Sequence, residues 1–298
     1  MVDSINNVNS SVIGQNYKKP SFWNYAGGVA AGSLISRLPS VLLNQVSMLS
    51  EKKYKKLIQL NADEFKNVQE AVNKTFSSSR LSEKGVSILE VTQKNIKEVT
   101  EAIKATIDKN MRFRSKEFRE MWTKIEVETT MSGDAAQYLT ESKKILFDKK
   151  SLMSAFHEIG HAVNGNLSKM GKIMQKCRSL SFLAVPIALI ALLKNKKSPD
   201  EKPKNKIDKF TDFIKRNAGK LTFISALPML AEEALASIRG NSFAKKALSP
   251  DLAKKVAKAN FAGFCSYLGL VVASSIGIFL GIKVRDAIVK PKNVEDKK

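Results

Sequence analysis

The strongest constraint on how this chain can fold is a stretch without a single charge. Residues 259–282 run for 24 positions with no Asp, Glu, Lys or Arg. A soluble core helix seldom keeps every face apolar over that length, and about 20 apolar residues are what a helix needs to cross a bilayer. The stretch therefore predicts a transmembrane helix. Gly277 and Gly281 give it a G-x-x-x-G face for close helix contact. Three other apolar segments are weaker. Residues 179–193 are 15 uncharged positions with Pro186 in the middle, and 221–231 is shorter still. Residues 21–48 carry a second glycine pair, Gly28 and Gly32, but are interrupted by Arg37 and Pro39. That segment reads equally as a membrane helix or as a buried amphipathic hairpin.

Charge points the same way. The net charge is +22, from 50 Lys and Arg against 28 Asp and Glu, which suits either nucleic acid or an anionic membrane surface. The bases cluster beside the apolar segments, in 194–220 and after residue 282, as juxtamembrane lysines do. Aromatic-basic interleaving, zinc knuckles and RNP-like signatures are all missing, so membrane lipid is the expected partner and nucleic acid is not. Cys177 and Cys265 follow neither disulfide nor metal-ligand spacing.

Between the apolar segments the pattern is α+β. Asn61 and Glu64 form a capping box before Ala62, Phe65, Val68, Val72 and Phe76, predicting a helix over 61–78. Residues 85–91 have strand composition. Ile96, Val99, Ile103 and Ile107 mark a second helix. Tyr138-Leu139 and Ile145-Leu146-Phe147 read as short strands about a polar turn, the latter as an edge strand on which an extended peptide could pair.

The chain has only two histidines, and both belong to His157-Glu158-Ile159-Gly160-His161. On a helix, positions i and i+4 share a face, so both imidazoles can reach one metal ion while Glu158 projects toward its open position. Asp148 or Ser151 can start that helix and Gly165 can end it. The expected chemistry is a zinc-polarised peptide carbonyl attacked by water, with Glu158 as general base. A third protein ligand has to be a carboxylate. The candidates are Glu232 and Glu233, in a helix read with Pro228 near its first turn and Gly240 at its end. Adjacent glutamates point about 100° apart, and spacing alone does not choose between them.

The segment Glu233-Ala-Leu-Ala-Ser237-Ile-Arg239 is similar to the Glu-x-x-Ala-(Asp/Ser) element of membrane gluzincin peptidases, the HtpX-like, CAAX-prenyl-protease-like and YugP-like enzymes. The resemblance covers roughly residues 138–240. It implies Zn2+ held by His157, His161 and Glu233, Glu158 as base, Ser237 orienting a ligand, and Arg239 as a catalytic, oxyanion-stabilising group. It also implies a peptide or protein substrate, and a fold that is mostly α with a small α+β zincin-like subdomain. Apolar helices would pack around the active-site helix, at least one of them transmembrane.

The expected division is a polar, disordered 1–20, an apolar membrane-associated 21–50, a metallopeptidase domain 51–248 with a basic insertion 194–220, and a C-terminal transmembrane helix and basic tail 249–298. Lysines at 169, 172 and 176 place the catalytic side in the cytoplasm by the positive-inside tendency. On that reading Lys169, Lys204 and Lys292 share one side, and 179–193 dips into the membrane and returns, or packs on the protein without crossing. The competing expectations are a non-catalytic membrane protein whose metal site is structural, closed by a fourth ligand such as Glu232, and a scaffold in which the motif is accidental.

Overall fold

The structure, a computed structural model, describes residues 21–57, 59–133, 136–195 and 202–289. The expected polar 1–20 and Lys292 lie outside them. The chain is mostly helical with one small sheet: α1 (Phe22–Leu57), α2 (Ala62–Ser78), β1 (Ser87–Glu90), α3 (Ile96–Asn110), α4 (Lys116–Ser132), β2 (Gln137–Leu139), β3 (Lys144–Phe147), α5 (Ala155–Leu167), α6 (Lys169–Cys177), a 3-10 segment Arg178–Leu183, α7 (Ala184–Leu193), α8 (Lys206–Ala247) and α9 (Pro250–Ile288).

The α+β part follows its local signals. Glu64 N–H donates to Asn61 Oδ1 at 2.8 Å and Asn61 N–H to Glu64 Oε2 at 3.1 Å, so the capping box starts α2. Two orphan amides are satisfied that way, and α2 buries Val68, Ala71 and Val72. The three strands order as β1-β3-β2, with β1 parallel and β2 antiparallel to β3. Residues 145–147 are therefore central, not an edge. The reason is the upstream strand: α3 and α4 form a crossover that returns the chain to the sheet after β1, leaving β1 on one side of β3 and β2 on the other. Alternation then sorts the side chains. Ile145 and Phe147 pack with α2 and α5, while Leu146 packs with Val99, Ile103 and Ile107 of α3. The helix α4 had no expected counterpart. It is capped by Ser115 Oγ, which accepts from Phe118 N–H at 3.2 Å, and it leaves Phe118, Met121, Trp122 and Ile125 exposed.

The remaining helices form a bundle. The two glycine pairs meet, because α1 and α9 pack antiparallel with Gly32 against Gly281. A Cβ on Gly32 would stand 2.7 Å from the Gly281 carbonyl oxygen, a contact only a bare Cα permits. Among the described residues, four stretches are long and apolar enough to cross a membrane: Phe22–Leu43, Lys169–Leu193, Lys206–Ala247 and Pro250–Ile288. Leu34, Phe182, Val185, Ile224, Phe261 and Phe279 are exposed on them, and a bilayer would cover such a surface.

Three expectations change here. The helix carrying Glu232 and Glu233 neither begins near Pro228 nor ends at Gly240; both lie inside the 42-residue α8. From Lys206 the basic 194–220 stretch is the first part of that same helix rather than an insertion. Residues 179–193 do not turn back. Arg178 contacts Glu232 of α8 and Lys194 contacts Asp212, points separated by about 30 Å at 1.5 Å per residue. That is about the hydrocarbon thickness of a bilayer. Pro186 is accommodated in the first turn of α7, where its missing N–H costs no bond.

Candidate metal centre

The motif helix α5 is held from below and pressed from above. Asp148 Oδ1 accepts the N–H groups of Lys150 at 2.7 Å and Ser151 at 3.0 Å, turning the chain from β3 toward α5. Ala155, Phe156, Ile159 and Ala162 are fully buried on the sheet side. The opposite face meets α8 at backbone distance. A Cβ on Gly240 would lie 2.9 Å from the Phe156 carbonyl oxygen and 3.0 Å from His157 N, and one on Gly160 would strike the Ala236 carbonyl. Gly240 is thus a contact residue rather than a helix terminator. Gly165 likewise lies inside α5, facing Gln175, and the helix continues to Leu167.

This approach gathers His157, His161, Glu158, Glu232, Glu233 and Ser237. The two Nε2 atoms stand 2.9 Å apart. Glu233 Oε2 is 3.3 Å from His157 Nε2 and 3.4 Å from His161 Nε2. Behind them, His161 Nδ1 faces Glu232 Oε1 at 2.8 Å, and Ser237 Oγ is 3.3 Å from His157 Nδ1. With its Nδ1 hydrogen directed at Glu232, a neutral His161 would turn the lone pair of Nε2 toward the cluster's centre. Asn164 Nδ2 donates to the same Glu232 oxygen at 3.0 Å. Glu158 Oε2 accepts the Tyr138 N–H of the edge strand β2 at 2.7 Å.

Arg178 closes the group. Its Nη1 donates to Glu232 Oε2 at 2.6 Å, and its Nη2 lies 2.8 Å from Glu233 Oε1. The second approach lies off the hydrogen-bonding direction and acts through charge, since Glu233 Oε1 gains no hydrogen bond from it.

The electrostatics favour a cation. Glu158, Glu232 and Glu233 are all buried, and Arg178 is a permanent cation that touches Glu232 and Glu233. Two negative charges remain, and buried charges are costly unless compensated. Burial pushes the Glu158 carboxyl above the usual carboxylate range, against the pull of His161 and His157. Burial works against a charge on His161, but Glu232 and Glu233 at its two nitrogens outweigh it and raise it to about 10. A proton there does in part what a divalent ion does in full.

The donor set fits zinc. Ligands about 2.0–2.1 Å from a tetrahedral ion stand about 3.3–3.4 Å from each other, the separation of Glu233 Oε2 from both imidazole nitrogens, while the two Nε2 atoms, 2.9 Å apart, would open slightly around it. No known protein family, curated protein or solved structure matches this chain.

The sequence-nominated His157, Glu158, His161, Glu233 and Ser237 converge. Arg239 does not join them. It lies six residues beyond Glu233, about 120° around the helix, and no hydrogen bond or ion pair ties it to the cluster among the described residues. Arg178, Asn164 and the Tyr138 amide are the participants that sequence reasoning missed. Asn164 was legible: three residues past His161, it falls on the motif's own face. Arg178 had no such signal, since it reaches Glu232 across 54 positions of chain.

Proposed function

We propose that this protein is a membrane-associated zinc metalloendopeptidase, with its α+β part serving as a zincin-like subdomain. The observation that carries the reading is the convergence of His157 Nε2, His161 Nε2 and Glu233 Oε2 within 3.4 Å, beside Glu158, which has one oxygen held by the Tyr138 amide. Bound there, Zn2+ would supply Lewis acidity toward a peptide carbonyl and a water molecule. His157, His161 and Glu233 would hold it. Ser237 and Glu232 fix the imidazole planes from behind, as partners of metal-bound histidines do. Glu158 has one oxygen held by the Tyr138 amide. It presents the other to take the proton from water and return it to the leaving nitrogen. The outer edge of β2 has no strand partner among the described residues. An extended peptide can add there, beside Glu158.

A closed structural site is the competing reading, and it needs a fourth protein ligand. Glu232 is already engaged by His161, Asn164 and Arg178, which favours an open position. The lysines of α6 favour a site toward the cytoplasm, whereas the larger 194–220 cluster at the other end of the bundle favours the reverse, so thiol labelling has to decide the side. The test is metal analysis of the purified protein together with peptide hydrolysis by wild type and Glu158→Gln. Stoichiometric zinc with hydrolysis lost only in the variant is expected. Zinc-loaded wild type that cleaves nothing across a diverse peptide library would favour the structural site.

A further inference from the structure

We infer that Arg178 is a positioning residue, holding Glu233 to a single metal-facing oxygen and Glu232 to the Nδ1 of His161 through one guanidinium. The inference rests on the metal-centre reading above and adds to it what decides the coordination number.

The two glutamates are neighbours on one helix and point about 100° apart. Each nonetheless divides its oxygens in the same way. Glu232 turns Oε1 to His161 and Oε2 to Arg178 Nη1. Glu233 turns Oε2 to the two Nε2 atoms and Oε1 to Arg178 Nη2, 2.8 Å away. A planar fork with two separated nitrogens can hydrogen-bond Glu232 through Nη1 while holding the charge of Nη2 against Glu233 Oε1, and a single ammonium nitrogen cannot reach both oxygens in that way. The consequence is chemical. A carboxylate can bind zinc through one oxygen or two, and the second would occupy the position that a reacting water needs. By drawing Oε1 away, Arg178 keeps Glu233 monodentate. It also offsets part of the buried negative charge of Glu232 and Glu233. Arg178 is well placed for this, because it opens the 3-10 segment between α6 and α7 and its carbonyl is anchored by Ser181 Oγ at 2.7 Å.

The experiment compares wild type, Arg178→Lys and Arg178→Ala as full-length protein in lipid nanodiscs. Zinc affinity is measured by chelator competition, and coordination by the visible spectrum after Co2+ substitution. Removing an outer partner of a metal ligand typically costs about 10–100-fold in metal affinity, and that loss is expected for Arg178→Ala. Both variants should also shift the cobalt bands from the intense four-coordinate form to the weaker five-coordinate one. Arg178→Lys should do so with helicity and thermal unfolding unchanged. An ordinary ion pair would not move that spectrum. A wild-type spectrum and wild-type affinity in Arg178→Lys would overturn the inference. So would loss of fold in both variants, which would make Arg178 a pin of the bundle. Wild type that binds no metal would bring down the peptidase reading as well, whereas metal-loaded wild type with indifferent variants brings down this inference alone.

Discussion

The two adjacent glutamates show where sequence stops and geometry begins. The His-Glu-x-x-His residues were legible because helical periodicity alone puts them on one face. Glu232 and Glu233 were not separable, since the choice depends on the rotation of α8 about its axis, which packing against α5 sets. With that rotation known, different outcomes are expected. Glu233→Ala should lose the metal, because it removes the oxygen nearest both Nε2 atoms. Glu232→Ala should keep a site weakened by about 10–100-fold, the usual effect of losing a partner behind a metal ligand. Zinc content and chelator competition on both variants check this, and a reversed order would mean that Glu232 is the ligand. Glu158→Gln preserves size and hydrogen bonding but removes the base. It should retain zinc and lose at least about 10²-fold in rate, read by single-turnover hydrolysis of a peptide substrate. Activity near wild type would remove Glu158 from the mechanism.

Among the elements, what was readable and what was not divides by the range of the forces involved. The start of α2 and the core faces of α2 and α3 come from contacts within a few residues, and both were legible. The central position of β3 was not, because it depends on which distant strand fills its second edge. The role of Gly240 was misread for a related reason. Glycine ends helices and also lets them touch, and only the partner helix distinguishes the two. The motif's own Gly160 is the sharper case, since its Cα faces the Ala236 carbonyl of α8. Gly160→Val would force α5 and α8 apart, and overpacking of this kind typically costs about 1–3 kcal/mol. The expected result is a lower thermal midpoint and loss of zinc while membrane insertion is retained, because the α1–α9 contact through Gly32 and Gly281 is untouched. Normal zinc binding in this variant would show that the helices need not approach so closely to build the site.

The molecule as a whole is polar at two ends of one apolar bundle. At one end are the metal centre, α6 and the α+β part. At the other, Lys215 pairs with Asp286 at 2.6 Å, Arg285 donates to Asn195 at 2.7 Å, and Lys194 lies 3.4 Å from Asp212, with Asp208 also against it. These opposite charges join the ends of α7, α8 and α9, as buried ionisable groups in membrane bundles tend to pair. The uncharged 259–282 run announced one crossing helix. The other candidate spans were obscured because α8 carries its charges toward its two ends and the 3-10 segment interrupts 179–193. Since that segment runs one way along α8, Lys169 lies at the metal-centre end and Lys204, just before α8, at the other. In a bundle that spans a bilayer the two lysines would stand on opposite sides, not on the shared side expected from their common positive charge. Single cysteines at Lys169 and Lys204, in a chain with Cys177 and Cys265 replaced, test this in intact cells with an impermeant thiol reagent. With the centre facing the cytoplasm, Lys204→Cys should label and Lys169→Cys should be shielded until the cells are opened. The reverse pattern would invert the protein in the membrane while keeping the bundle. Shielding of both would mean that α7 and α8 do not cross the bilayer, and that the bundle lies against the membrane from one side.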